Sequence, residues 1–265
     1  MNLIGNINAI PFRRFRGGGG VSPIPPSPSI SGMIARYSAL GLTNEQMATN
    51  PVWVDKTGNG HDLQMKNFAW KDGSGISDVY LGALVFDGVD DYGICDNFPI
   101  LTKEKGYTVV ALRQIISTKA SSVVSKFNAS NDGAFLFEGY TFAGEYISGS
   151  FGTFVNDIEK SPFSYMTSVS YNGTSINPGN KLDKSNTLAV GTFYNDVFNH
   201  YFGNIALWEL IILDHDATEE ELTKIKDYFV KTYPWLFPDQ AWTVVGKTNE
   251  DEDRATIANL SLIHI

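Results

Sequence analysis

The sequence predicts an all-β chain, a two-sheet antiparallel sandwich closed by one short C-terminal helix. Three observations predict it. Segments 33–38, 83–86, 107–115, 122–127, 134–139, 146–151, 166–171, 187–192 and 205–213 are short and rich in β-branched and aromatic residues. Clusters of Gly, Asn, Asp and Ser separate them at the spacing of sandwich strands. One stretch, after residue 213, stands out for its helical periodicity.

Taken in order, strand 33–38 runs toward a dense turn, Asp55-Lys-Thr-Gly58-Asn59-Gly60. There glycine supplies positive φ, while Asn and Asp bond their own backbone, which predicts a hairpin or bulged corner over 57–60. Segment 83–86 leads into Asp87-Gly-Val-Asp90-Asp91, an acidic turn flanked by Phe86 and Tyr92. Segments around Phe137 and Met166 mix apolar runs with alternation, as inner strands of a sandwich do. Strand 205–213 is almost wholly apolar, with Glu209 its one acid, read as a structural or edge residue. The helix starts at Thr218, an N-cap with Glu221 three residues on, and three glutamates in its first turn suit the helix dipole. Leu222, Ile225 and Phe229 form its apolar stripe, and Tyr233-Pro234 ends it. Asp214-His215-Asp216 reads as the turn before that helix rather than as a metal or triad fragment.

At 265 residues the chain fits one large all-β domain with appendages. Its 43% hydrophobic content suffices for a core. The formal charge is −9, and the first 31 residues carry Arg13, Arg14 and Arg16 with no acid, so the remainder stands at −12. Such a body repels phosphate backbones, which argues against nucleic acid as a partner. The lone cysteine, Cys95, excludes an internal disulfide and reads as a small buried apolar residue. No apolar run has the length of a membrane span, and the N-terminus lacks a signal peptide's order.

Three zones follow. Residues 1–31 join Ile10-Pro-Phe12-Arg-Arg-Phe15-Arg to four glycines and a proline-rich stretch, the composition of a disordered tail and flexible tether. Phe12 and Phe15 between arginines suit docking into an acidic, apolar groove. Residues 32–237 form the globular body. Residues 238–265 begin a following unit that is cut short, and Leu-Ser-Leu-Ile-His-Ile at 260–265 resembles the translation of a sequencing-library adapter.

Two motifs carry a family resemblance: Trp53-Val-Asp55-Lys-Thr-Gly58-Asn59-Gly60-His61-Asp62-Leu63, and Val85-Phe86-Asp87-Gly88-Val89-Asp90-Asp91-Tyr92. Together they resemble the opening of laminin-G-like domains of the concanavalin A-like lectin/glucanase superfamily, of the type found in Bacteroidales phages, prophages and bacterial surface proteins. The resemblance implies a jelly roll that binds carbohydrate or protein surfaces. It also suggests calcium, since a hard cation takes several carboxylate and carbonyl oxygens and Asp55, Asp87, Asp90 and Asp91 offer some. The plainer alternative is that these aspartates only satisfy backbone amides in corners. Many relatives carry an aspartate on the penultimate strand where Ala206 or Trp208 stands here, which weighs against the ion.

Glycan binding needs an aromatic platform beside hydrogen-bonding groups. The best candidate is a loop bearing Tyr194, Asn195, Asp196, Asn199, His200 and Tyr201, followed by Trp70. Glucanases of this superfamily set three acids along one strand, and no such triple occurs here. None of the four histidines lies near a nucleophile-elbow pattern. The expectation is therefore a protein that is not an enzyme: a carbohydrate- or receptor-binding module in a phage virion appendage, or on a bacterial cell surface. Its N-terminal tail would dock it to other virion proteins, with a homo-oligomer as a further option. The alternatives are a purely structural virion protein and a glycoside hydrolase with unusual acids.

Overall fold

The structure, a computed structural model, describes residues 27–101, 105–117, 122–127, 133–139, 142–144, 146–147, 150–151, 162–175, 185–195 and 198–237. Most of the expected tail, the following unit and Asp196 lie outside the described residues.

The chain is the all-β antiparallel sandwich that the sequence predicts. One sheet holds eight strands: β1 (Met33–Ser38), β4 (Gly75–Ser77), β5 (Ala83–Asp87), β7 (Thr108–Ile115), β13 (Phe163–Thr167), β14 (Ser170–Tyr171), β15 (Thr174–Ser175) and β19 (Asn204–Leu213). The other holds seven: β2 (Val52–Trp53), β3 (Leu63–Lys66), β6 (Tyr92–Cys95), β8 (Val124–Phe127), β9 (Gly133–Gly139), β10 (Phe142–Gly144) and β16 (Leu188–Val190). Two separate hairpins, β11–β12 (Tyr146–Ile147, Ser150–Phe151) and β17–β18 (Thr192–Asn195, Phe198–Phe202), complete the strands. The loop expected around Tyr194 and Tyr201 is thus a hairpin. Its aromatic residues favour extended backbone, and Phe193 pairs with Tyr201 across it.

Strand alternation explains the two hydrophobic layers. In β7, Val109 and Ala111 face the other sheet, while Val110 and Leu112 face helix α2 (Glu219–Thr232). In β5, Leu84 and Phe86 point inward, and Ala83 and Val85 toward the helix. The eight-stranded sheet is therefore covered on both faces, which is why its central strands are apolar throughout. In the seven-stranded sheet, β3 and β6 alternate. Leu63, Met65 and Cys95 are buried, while Gln64 and Lys66 are exposed and Tyr92 and Ile94 half-buried.

A bulge in β19 shifts the pairing between Leu207 and Glu209. The extra residue puts Trp208 and Glu209 on the helix side together, before Leu210 returns to the inner core. Glu209 is thus no edge residue. It lies on a strand paired on both sides and is fully buried.

Helix α2 begins with the expected box: the Thr218 hydroxyl accepts from the Glu221 amide, and the Glu221 carboxylate accepts from the Thr218 amide. Ile225 and Phe229 of the expected stripe are buried, joined by Tyr228 and Thr232. A shorter helix, α1 (Asn44–Thr49), carries the same device on Thr43 and Gln46. The Asn44 carboxamide donates to the Ile76 carbonyl at 2.8 Å and accepts from the Ile76 amide at 2.7 Å, on the side of β4 away from β5.

Candidate functional site

Two corners lie side by side where the chain crosses from one sheet to the other. Residues 67–74 link β3 to β4, and residues 88–91 link β5 to β6. Because β3 pairs with β6 and β4 with β5, the corners are neighbours.

The acidic corner is built from its own carboxylates. Asp87 accepts from the amides of Val89 at 2.7 Å and Asp90 at 3.3 Å. Gly88, at φ +75, lies so close to Asn204 that a Cβ there would stand 2.7 Å from the asparagine's own. Asp91 is fully buried; one oxygen accepts from the Asp87 amide at 3.0 Å and the other from the Ser74 hydroxyl at 3.1 Å. Burial pushes its carboxyl up to about 6 from 3.8, against the pull of those two donors. Asp90 is exposed and carries no hydrogen bond on its carboxylate among the described residues, while its carbonyl accepts from the Asn67 side chain at 2.9 Å. Ligand atoms of Asp87, Asp90 and Asp91 all lie within 4.8 Å of one another.

The aromatic corner turns through Asn67 at φ +68 and Trp70 at φ +52. A left-handed backbone at a bulky residue is strained and persists only where its surroundings enforce it. Here Lys71 and Ser74 exchange backbone hydrogen bonds of 3.0 Å, and the Ser74 hydroxyl accepts from the Ala69 amide at 2.8 Å. The half-buried Trp70 ring stacks on Phe68, with centroids 4.8 Å apart and planes at 18°. Phe68 in turn meets Phe86 edge-on at 5.1 Å.

The hairpin β17–β18 joins the body beside these corners. It leaves at Gly191 (φ +80) and returns at Gly203, whose amide donates to the Gly191 carbonyl at 2.7 Å. Next in the chain, Asn204 pairs with Asp87, and the Phe202 ring lies 6.2 Å from Tyr92. Tyr194 pairs with Asn199, Asn195 with Phe198 and Phe193 with Tyr201, so that His200 is the extra residue of a bulge.

The structure thus brings Trp70 together with Asp87, Asp90 and Asp91, and sets the base of the hairpin alongside. Asp55 does not join them. It accepts from the Arg36 amide, and Arg36 sits opposite Ile211, whereas Asp87 sits opposite Asn204. At ~3.3 Å per residue those places are about 20 Å apart. Asp55 also binds the amide and hydroxyl of Thr57, which shapes the turn over 57–60. Sequence reasoning missed Ser74 and Asn67, the two side chains that tie the corners together.

A second polar cluster lies under α2. The Arg36 side chain donates to Glu209 at 2.6 Å and to the Tyr228 hydroxyl, while the Tyr233 and Tyr228 hydroxyls donate to the second Glu209 oxygen at 2.7 and 3.2 Å. Burial pushes the Glu209 carboxyl up, with Arg36 and the tyrosines pulling against it. Burial pulls the Arg36 guanidinium down, but the Glu209 carboxylate with Tyr228 and Tyr233 together raise it above its ordinary value. With Glu209 fully buried and Tyr228 and Tyr233 almost so, this cluster locks the helix to the sheet and presents no open face.

No protein-family model matches the chain, and no curated protein does. Among solved structures, a Trypanosoma rangeli sialidase in complex with sialic acid is 11% identical over 82% of this chain and 35% of its own, with a TM-score of 0.45. An arabinofuranosidase complexed with arabinofuranosyl-alpha-1,2-xylobiose is 10% identical over 78% and 60%, with a TM-score of 0.47. The botulinum neurotoxin type G receptor binding domain is 9% identical over 76% and 52%, with a TM-score of 0.30. The chain therefore spans about a third of the sialidase and less than two thirds of the other two. One expectation is corrected by these findings: the first of these neighbours are glycoside hydrolases, so the chain is not set apart as a protein without enzymatic activity. At such identities and TM-scores they assign it neither a family nor a reaction.

Proposed function

We propose that the chain is a carbohydrate-recognition module of laminin-G-like type that takes its glycan at the paired corners. The observation that carries this reading is the joining of a strained, half-buried Trp70 to an acidic turn through Ser74 and Asn67. A sugar offers an apolar C–H face and a rim of hydroxyls. The indole answers the first, and the exposed Asp90 carboxylate answers the second.

Calcium belongs to the same proposal. Asp87, Asp90 and Asp91 would hold it, and the open Asp90 carboxylate suits a cation that takes 6–8 oxygens. Asp55 is excluded from that set by its distance. The setting in a virion appendage, with the arginine-bearing tail as the dock, rests on the sequence of residues 1–31. A receptor glycan on a host cell is the matching partner.

A glycan-array screen of the full chain beside Trp70→Ala, each with and without EDTA, tests the reading. The expected result is specific binding that falls about tenfold or more with Trp70→Ala, the loss of a stacked ring. A drop with EDTA supports calcium. A silent array, or binding indifferent to Trp70, overturns the assignment of this site.

A further inference from the structure

Ser74, the last residue of the aromatic corner, belongs to neither set of ligand-facing groups. Its hydroxyl, almost wholly buried, makes two bonds of opposite sense: it accepts from the Ala69 amide at 2.8 Å and donates to Asp91 at 3.1 Å. Its backbone closes the turn around Trp70 through both hydrogen bonds with Lys71. Directly after it, Gly75 at φ +140 lets the backbone pass so close that a Cβ there would stand 3.0 Å from the Trp70 Cα. Nothing in the local sequence favours a left-handed tryptophan, so its conformation must be imposed by these contacts.

We propose that Ser74 is the positioning residue of this site, holding Trp70 in its strained conformation by bridging the Ala69 amide to Asp91, so that the indole and the acidic turn move as one body. The role of this unit in ligand capture rests on the recognition reading above; the mechanical link does not. The hydroxyl is suited to the task because it donates and accepts at once. Alanine would leave one oxygen of the buried Asp91 without its donor and release the exposed Ala69 amide to water. The turn would then relax, and the ring would leave its stack on Phe68.

The test uses the full chain labelled with 5-fluorotryptophan, with Trp70→Phe assigning the Trp70 signal in the fluorine spectrum. Ser74→Ala is expected to move that signal and broaden it. Ser74→Cys, close in size and weaker in both bonds, is expected to move it less and covers the case in which the alanine variant fails to fold. Thr57→Ala, which removes hydroxyl bonds at the distant Asp55 turn, is the control for general loosening and is expected to leave the signal in place. The same variants on the glycan array should show about a tenfold loss for Ser74→Ala and none for Thr57→Ala. A Trp70 signal unmoved by Ser74→Ala and Ser74→Cys, or moved equally by Thr57→Ala, overturns the inference. If the signal moves as expected while the unsubstituted chain binds no glycan, Ser74 remains a positioning residue and the recognition reading is what fails.

Discussion

Asp91 is a carboxyl group shut away from water, and its proton has a thermodynamic consequence. Its folded value of about 6 exceeds the ordinary 3.8, so between those values the folded chain keeps a proton that the unfolded chain has lost. Stability from this group is complete below about pH 4 and declines as pH rises through about 6, the reverse of an aspartate held ionised by a salt bridge. Urea midpoints measured from pH 4 to 7 should fall relative to those of Asp91→Asn, and a constant difference would remove Asp91 as the cause. At this scale the sequence showed the aspartates but not their partner. Asp87, Gly88, Asp90 and Asp91 all lie in the single stretch 87–91, whose turn chemistry is local. Ser74 stands 17 residues from Asp91 and is a residue common in any loop, so no local pattern marks it.

Between elements, the decisive device is the β19 bulge, which turns Glu209 toward the helix and creates a demand for Arg36, Tyr228 and Tyr233. Breaking a buried pair by removing one partner strands the other, a cost of about 3–5 kcal/mol. Glu209→Ala should therefore destabilise the chain far more than Thr218→Ala, which loses a helix cap worth about 1 kcal/mol. Chemical denaturation of both variants checks the order, and near-equal losses would show that the cluster relaxes around water. The cap was legible from Thr218 and Glu221, since both lie within one helical turn. The Glu209 cluster was not, because its members are 173 and 19 residues apart in pairs and meet only after the bulge changes the phase of the strand. The hairpin β17–β18 escaped for a related reason: its register is bulged at His200, which breaks the period-two signal.

Across the molecule, two hydrophobic layers share one sheet. Strands β7 and β19 sit at its middle with both faces covered, one by the opposite sheet and one by α2. Their amides should be the last to exchange with deuterium, well after those of β3 and β6, whose outer faces meet solvent. Exchange of β19 as fast as β3 would mean that the helix layer opens freely. Among the described residues, the same arrangement leaves the corners and the outer faces of β3 and β6 as the open ground. The sandwich itself was legible because turn clusters divide apolar strands at regular intervals. Which sheet the helix covers was not, since that depends on contacts far apart in sequence.

The Asn44 carboxamide, set against the outer edge of β4, bears on behaviour in concentrated solution. It occupies the hydrogen-bonding positions at Ile76 that a strand of a second molecule would need in order to extend the sheet. A single side chain thus acts as a stopper against polymerisation, and a chain carrying Ala at that position would meet its own copies with an open edge.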